Sequence, residues 1–195
     1  VHEVPWEHNR FIAKYNLSPD IFYVQYAGTM GYVFDYKMVL DVAEYLKTEP
    51  DIIFQMIGEG SQKHAFVEEA KRRKLDNVVF LPLEKQEMVS DVYSACSVCL
   101  IPLKEGIIGN SVPSKAGLLM ACKRPIITTS DENSNYNLMI NENNIGFAFS
   151  PKEPNKVADA IRILKENADL CNQMGMNEYA YGHKSYSRSE NMRKY

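Results

Sequence analysis

Short apolar runs rich in β-branched and aromatic residues alternate with amphipathic helical stretches along most of this chain. The runs lie at residues 21–28, 52–58, 77–83, 97–103, 124–130 and 145–150. Between the first two, Met38, Val42, Tyr45 and Leu46 are spaced so that they share one face of a helix. Strands that alternate with helices form parallel sheets. The sequence therefore predicts an α/β fold, a Rossmann-like doubly wound parallel sheet of about six strands, with helices near 61–74, 85–95 and 113–122 and after residue 150.

Composition divides the chain into three parts. Residues 1–20 form a polar lead-in between domains, residues 21–168 the Rossmann-like domain, and residues 169–195 a polar and aromatic tail. The tail has weak helical patterning and no apolar stripe, so we expect a helix that lies across the surface or docks on another body. Because the sequence begins with Val1 and not with Met, and continues with a polar lead-in, we expect it to be a fragment of a longer protein.

Charge and cysteine content exclude several classes of protein. A net charge of −3, from 22 basic and 25 acidic side chains, is too balanced for a nucleic-acid-binding stripe. No run reaches the roughly 18 apolar residues of a membrane span, and the first residues do not resemble a signal peptide, so a cytoplasmic location is expected.

The four scattered cysteines are expected to be reduced. Cys96 and Cys99 form a C-x-x-C inside a predicted strand, where they should point to opposite faces; no metal site and no cofactor is predicted.

Ligands of doubly wound sheets bind outside the carboxyl ends of the strands, so the loops at those ends hold the candidate site. The first loop contains Gly28, Thr29, Met30 and Gly31, a tight turn whose free N–H groups can face an anion. The second contains Gly58, Glu59 and Gly60, with glycines where the backbone must approach something closely. These glycines could equally do no more than turn a strand. The loops lack the G-x-G-x-x-G pattern and the acidic residue of a dinucleotide site.

The strongest local feature is the loop over residues 104–115. Pro113 is placed as a first-turn proline, so the N–H groups of Ser114 and Lys115 would open a helix, and Lys115 adds a positive charge at that end. A diphosphate would fit there. The alternative is a capped surface helix with a solvated lysine.

Six segments, taken in order, resemble the C-terminal, donor-binding half of a GT-B glycosyltransferase of family 4. They are FYVQYAGTMG, FQMIGEGSQK, LDNVVFLPL, VYSACSVCLIPLKEG, SVPSKAGLLMACKRPIITT and NIGFAFSP. The fifth is particularly similar to the bacterial branch that builds cell-surface polysaccharides, although Lys123 stands where that branch usually has glycine.

The resemblance implies a role for each of the candidate loops. The residues at 28–31, with those at 58–60, would lie around the donor diphosphate, and Leu81, Pro82, Leu83 and Lys85 would border the nucleobase. The remaining donor-binding residues would be Asn110, Ser111, Val112, Pro113 and Ser114. Lys115 would make the main catalytic contribution, because the leaving nucleoside diphosphate gains negative charge in the transition state.

The resemblance also implies the reaction and the partners. The donor would be a nucleotide sugar, a UDP-sugar more than a GDP-sugar, and transfer would retain the anomeric configuration. The acceptor would be a glycan or a lipid-linked sugar held by an N-terminal domain outside this sequence, with peripheral contact at the inner face of the membrane.

Some positions depart from the family pattern. Two glutamates that many members carry correspond to Asn110 and Leu118, and an arginine and a lysine that many place after the first strand correspond to Thr29 and Phe34. A second interpretation is therefore a non-catalytic binding or scaffolding module that has lost the glutamates. A third is a nucleotide-sugar epimerase of the same architecture, which would be expected to show acidic and histidine catalysts in the loops.

Overall fold

The computed structural model describes residues 1–107 and 119–186. In these ranges six strands form one parallel sheet, in the order β3-β2-β1-β4-β5-β6. The strands are β1 (Phe22–Ala27), β2 (Ile52–Ile57), β3 (Val78–Leu81), β4 (Val98–Pro102), β5 (Ile126–Thr129) and β6 (Gly146–Phe149). The predicted fold class is confirmed, and each predicted strand is present with slightly narrower bounds.

The helices cover both faces of the sheet. They are α1 (Arg10–Tyr15), α2 (Tyr36–Tyr45), α3 (Lys63–Arg72), α4 (Val89–Ser94), α5 (Asn135–Glu142), α6 (Pro154–Glu166) and α7 (Ala168–Tyr186), with 3-10 turns at Trp6–His8 and Gln86–Met88. Asp35 caps α2, since its side chain accepts a hydrogen bond from the Met38 N–H. One apolar core joins α2, α3 and α6 to the sheet, and a second core on the opposite face includes residues of α4 and α5.

The two ends of the described chain are packed on this domain. Phe11 of α1 is fully buried in a third apolar cluster with Ile57 and Val92. At the other end, Met174, Gly175, Glu178 and Gly182 lie on one face of α7 and are buried. The tail thus has a packing face, made of two glycines, one methionine and one acid, which the apolar pattern of the sequence does not predict.

The prediction that Cys96 and Cys99 point apart is wrong. Their sulfur atoms are 3.6 Å from each other. The reason is that β4 begins at Val98, so Cys96 lies in the preceding turn and does not follow strand alternation.

No helix within residues 1–107 and 119–186 is both long and apolar enough to cross a bilayer.

Candidate active site at the carboxyl ends of the strands

The strand order places a topological switch point between β1 and β4. The chain runs outward from β1 to β2 and β3, then returns to the other side of β1 and runs outward through β5 and β6. Crevices outside the carboxyl ends of the strands at such a point are where doubly wound sheets bind ligands. The loops that follow β1 and β4 flank this point, and those that follow β2 and β3 lie at the same edge of the sheet.

The loop after β1 is held by its neighbour on one side. Gly28 N–H donates to the carbonyl of Ile57 at 2.8 Å, and Met30 N–H donates to the carbonyl of Glu59, also at 2.8 Å. The Met30 side chain is fully buried in the core. Two of the four predicted free N–H groups are therefore engaged. Those of Thr29 and Gly31 make no hydrogen bond within the part of the chain that the structure describes.

The glycines after β2 face this same loop. A Cβ on Gly58, where φ is +137°, would lie 1.9 Å from the carbonyl oxygen of Gly28, and one on Gly60 would lie 2.4 Å from that of Met30. Only a residue without a side chain fits at that distance. The close approach predicted for these glycines is thus made by the backbone of the neighbouring loop, which locks the two loops together.

A pocket of about 90 Å³ opens beside these loops, at the carboxyl ends of β1 and β2. It is lined mainly by apolar side chains, with one carboxylate and one ammonium on its wall: Ala27, Gly28, Ile57, Leu83, Glu84, Lys85, Val89, Val92 and Tyr93. Complete small-molecule sites measure roughly 300–1,000 Å³, so a pocket of this size accommodates one part of a ligand such as a planar ring.

The structure brings only part of the predicted base-binding set to this pocket. Leu83 and Lys85 line it, whereas Leu81 and Pro82 do not. The contribution of α4 was not predicted: Val89, Val92 and Tyr93 stand at helical spacing i, i+3 and i+4, so they form one face. That spacing is visible in the sequence and is the signal that could have found them.

The Glu84 side chain on the wall of the pocket is held in place by two residues of α1. Glu84 accepts hydrogen bonds from Lys14 Nζ and from the Tyr15 hydroxyl, each at 2.6 Å. These bonds from α1 lower the pKa of the Glu84 carboxyl, so it is ionised at neutral pH. Burial raises the pKa of Tyr93 to about 12, so this side chain stays a neutral phenol. The pocket thus combines an apolar interior with a fixed negative charge and the exposed Lys85.

The predicted diphosphate-binding segment is not among the described residues. Asn110, Ser111, Val112, Pro113, Ser114 and Lys115, together with Leu118, fall between residues 107 and 119. On one side of this gap Gly106 N–H donates to the Asp131 carboxylate at 2.6 Å, and on the other Leu119 is buried.

The sheet order and helices on both faces correspond to the Rossmann-like C-terminal domain of GT-B proteins. The C-terminal domain of LpcC, a glycosyl transferase group 1 family protein from Francisella tularensis, has this fold: the TM-score is 0.74 at 17% identity, over 96% of both chains. HepE from Anabaena, crystallised with UDP and glucose, gives a TM-score of 0.80 at 14% identity, over 99% of this chain and 52% of that one.

Comparison of the sequence with known families assigns this GT-B-like domain to one family. The model of the family described as glycosyl transferases group 1 matches residues 8–181, so the chain belongs to that family. It is also 29% identical over 151 residues to the probable glycosyltransferase WbjE of Pseudomonas aeruginosa. That match covers 75% of this chain and 36% of the relative, so the chain spans about a third of the relative's length.

Proposed function

We propose that this chain binds a UDP-sugar and forms the donor half of a glycosyltransferase. The base would occupy the pocket between Gly28 and Tyr93, and the diphosphate would lie over the free amides of Thr29 and Gly31, with Lys115 as the main catalytic cation. The observation that supports the proposal is the position of the pocket at the carboxyl ends of the strands, where Gly28 lines it and the unpaired amide of Thr29 follows next in sequence.

In the proposed reaction the bond from the anomeric carbon to the β-phosphate oxygen breaks, and its electron pair stays on the phosphate. The acceptor hydroxyl forms the new bond to the anomeric carbon, and its proton passes to the departing phosphate oxygen. Negative charge therefore grows on the diphosphate, and amides and ammonium groups fixed there stabilise the transition state more than the ground state. We propose retention of configuration, as the family 4 resemblance implies.

We propose that the complete protein adds an acceptor-binding domain, so that the active site lies in the cleft between two domains. The acceptor would be a glycan or lipid-linked sugar of a cell-surface polysaccharide. This rests on the similarity of residues 111–129 to the enzymes of that branch. The protein would work in the cytoplasm, at the inner face of the membrane, where its four free thiols stay reduced.

Titration calorimetry of this chain with UDP, GDP and uridine tests the proposal. We expect UDP to bind more tightly than GDP, and Lys115→Ala to weaken UDP binding about tenfold, the loss of one charge-assisted hydrogen bond. Lys47→Ala is the matched control, because Lys47 follows the far end of α2 and should leave affinity unchanged. Absence of UDP and GDP binding at millimolar nucleotide would contradict the proposal, and unchanged affinity in Lys115→Ala would contradict the role of that lysine.

The second candidate function is a binding or scaffolding module without transferase activity. Asn110 and Leu118, in place of the two family glutamates, favour it. A full-length protein that binds UDP-sugar and its acceptor but transfers no sugar would establish this alternative. The epimerase interpretation is not retained, because the family model that matches is that of glycosyl transferases.

A further inference from the structure

Lys104 lies at the switch point, beside the glycine loop that follows β1. The residues after β1 turn back and pair with the end of β4: Phe34 forms an antiparallel bridge with Leu103, and Lys104 N–H donates to the carbonyl of Val33 at 3.1 Å. Asp35 N–H donates to the carbonyl of Pro102 at 3.0 Å. These two hydrogen bonds, which make up the bridge, fix the main chain at Lys104 relative to the loop that carries the free amides.

The Lys104 ammonium has no carboxylate partner among residues 1–107 and 119–186. Its Nζ lies 4.9 Å from the ring centroid of Tyr32, a side chain that is 74% exposed. A cation over an aromatic face is oriented by the ring quadrupole but keeps its full charge. The Tyr32 ring thus holds the ammonium against the loop after β1 without neutralising it.

The acidic groups of Glu105 and of the loops after β1 and β2 are already engaged. Glu59 pairs with Lys63, Glu105 with Lys152 at 2.8 Å, and Asp35 caps α2. A positive charge without a carboxylate partner, held against Tyr32 in the same loop that carries the unpaired amides of Thr29 and Gly31, suits the binding of an anion.

We propose that Lys104, oriented by Tyr32, is a second cation that contacts the diphosphate of the donor. This inference rests on the proposed function and adds to it a residue outside the 110–115 segment. The charge that grows on the leaving diphosphate is attracted to the ammonium, so Lys104 contributes both to donor affinity and to departure of the nucleotide.

The test compares UDP with uridine, because only UDP carries the diphosphate. We expect Lys104→Gln to weaken UDP binding about tenfold and to leave uridine binding unchanged, and Lys104→Arg to keep most of the UDP affinity. Lys37→Gln is the matched control: Lys37 is an exposed lysine on the first turn of α2, at the same end of the sheet, and its removal should change neither affinity.

The tyrosine gives a second arm to the experiment. Tyr32→Phe retains the aromatic face and should leave UDP affinity unchanged, whereas Tyr32→Ala should lower it about threefold by releasing the ammonium. Thermal unfolding of each variant verifies that the fold is retained.

The outcomes separate the two proposals. If the unmodified chain binds no UDP, the proposed function fails and this inference fails with it. If the unmodified chain binds UDP and Lys104→Gln binds it equally well, only this inference is overturned. An equal loss of UDP and uridine affinity in Lys104→Gln also overturns it, because that result would assign Lys104 a structural role.

Discussion

The first and last helices of the described chain pack on the same domain, but different forces hold them. Helix α1, besides burying Phe11, is held by charge: Arg10 makes a two-pronged ion pair with Asp91. Helix α7 is fastened by shape, since a Cβ on Gly175 would lie 2.2 Å from the carbonyl oxygen of Lys123. These two contacts are not visible in the sequence as an apolar stripe, because one depends on an ion pair and the other on the absence of a side chain.

The two regions also treat a buried acid in opposite ways. The Arg10 guanidinium lowers the pKa of the Asp91 carboxyl, which is therefore ionised in the folded protein. The Glu178 carboxyl on α7 is fully buried, and neither of its oxygens has a hydrogen-bond partner within the described residues. Burial raises its pKa well above the ordinary value, so the neutral acid is favoured.

The largest effect on stability is expected where the close contact between α7 and the Lys123 backbone is broken. Gly175→Val forces α7 away from the Lys123 backbone, which cannot yield as a flexible side chain would. We expect about 3 kcal/mol or more to be lost from the free energy of unfolding, measured in urea. Met176→Ala is the control, since Met176 is exposed and next in sequence. Equal stability of the Gly175→Val and Met176→Ala variants would show that α7 does not pack as described.

A smaller loss is expected where the charge-dependent contact is broken. Asp91→Asn removes the ion pair with Arg10, and we expect the melting temperature to fall by a few degrees at pH 7. Because the pKa of Asp91 is lowered in the folded state, its contribution is present above about pH 4 and is lost as pH falls further. The difference between the variant and the unmodified chain should therefore shrink on acidification; a difference that stays constant down to pH 2 would rule out the ion pair as its source.

The smallest expected effect is a gain in stability, and its pH dependence is the reverse of the one expected for Asp91→Asn. Glu178→Gln keeps the shape of the side chain and removes the ionisable group, so we expect a gain of about 1 kcal/mol at pH 8. Because the pKa of Glu178 is raised in the folded state, its stabilising effect is complete below about pH 4 and is lost as pH rises through the raised value. Chemical denaturation at pH 4, 6 and 8 checks this, and a variant that is less stable than the unmodified chain at pH 8 would contradict a neutral buried acid.

The apolar runs made the sheet predictable, whereas two helices without an extended apolar face were not predicted. Each of the six strands lies in a short run of mainly apolar or β-branched residues bounded by polar residues, glycine or proline. Helix α1 spans six residues and α5 has the sequence NYNLMINE, so neither shows an extended apolar face. Side-chain caps at Asn9 and Ser134 begin these helices, and such caps are signals that an apolar pattern does not contain.

The candidate site was predictable in position and less so in detail. Ligands of doubly wound sheets bind outside the carboxyl ends of the strands, which is why the strand-to-helix loops could be singled out without knowing the strand order. The pairing of glycines with a neighbouring backbone could not be foreseen, because Gly58 and Gly28 are distant in sequence. The same holds for Lys104 and Tyr32, which meet only because two loops pair across the switch point. The roles predicted for Lys115 and its neighbours stay predictions.

The alternation of engaged and free amides after β1 has a consequence for hydrogen–deuterium exchange. In the free protein the amides of Gly28 and Met30, bonded to carbonyls of the next loop, should exchange slowly, while those of Thr29 and Gly31 exchange fast. A bound diphosphate would slow only the fast pair. Binding of a diphosphate would then be visible as the loss of the difference in exchange rate between alternate residues at positions 28–31.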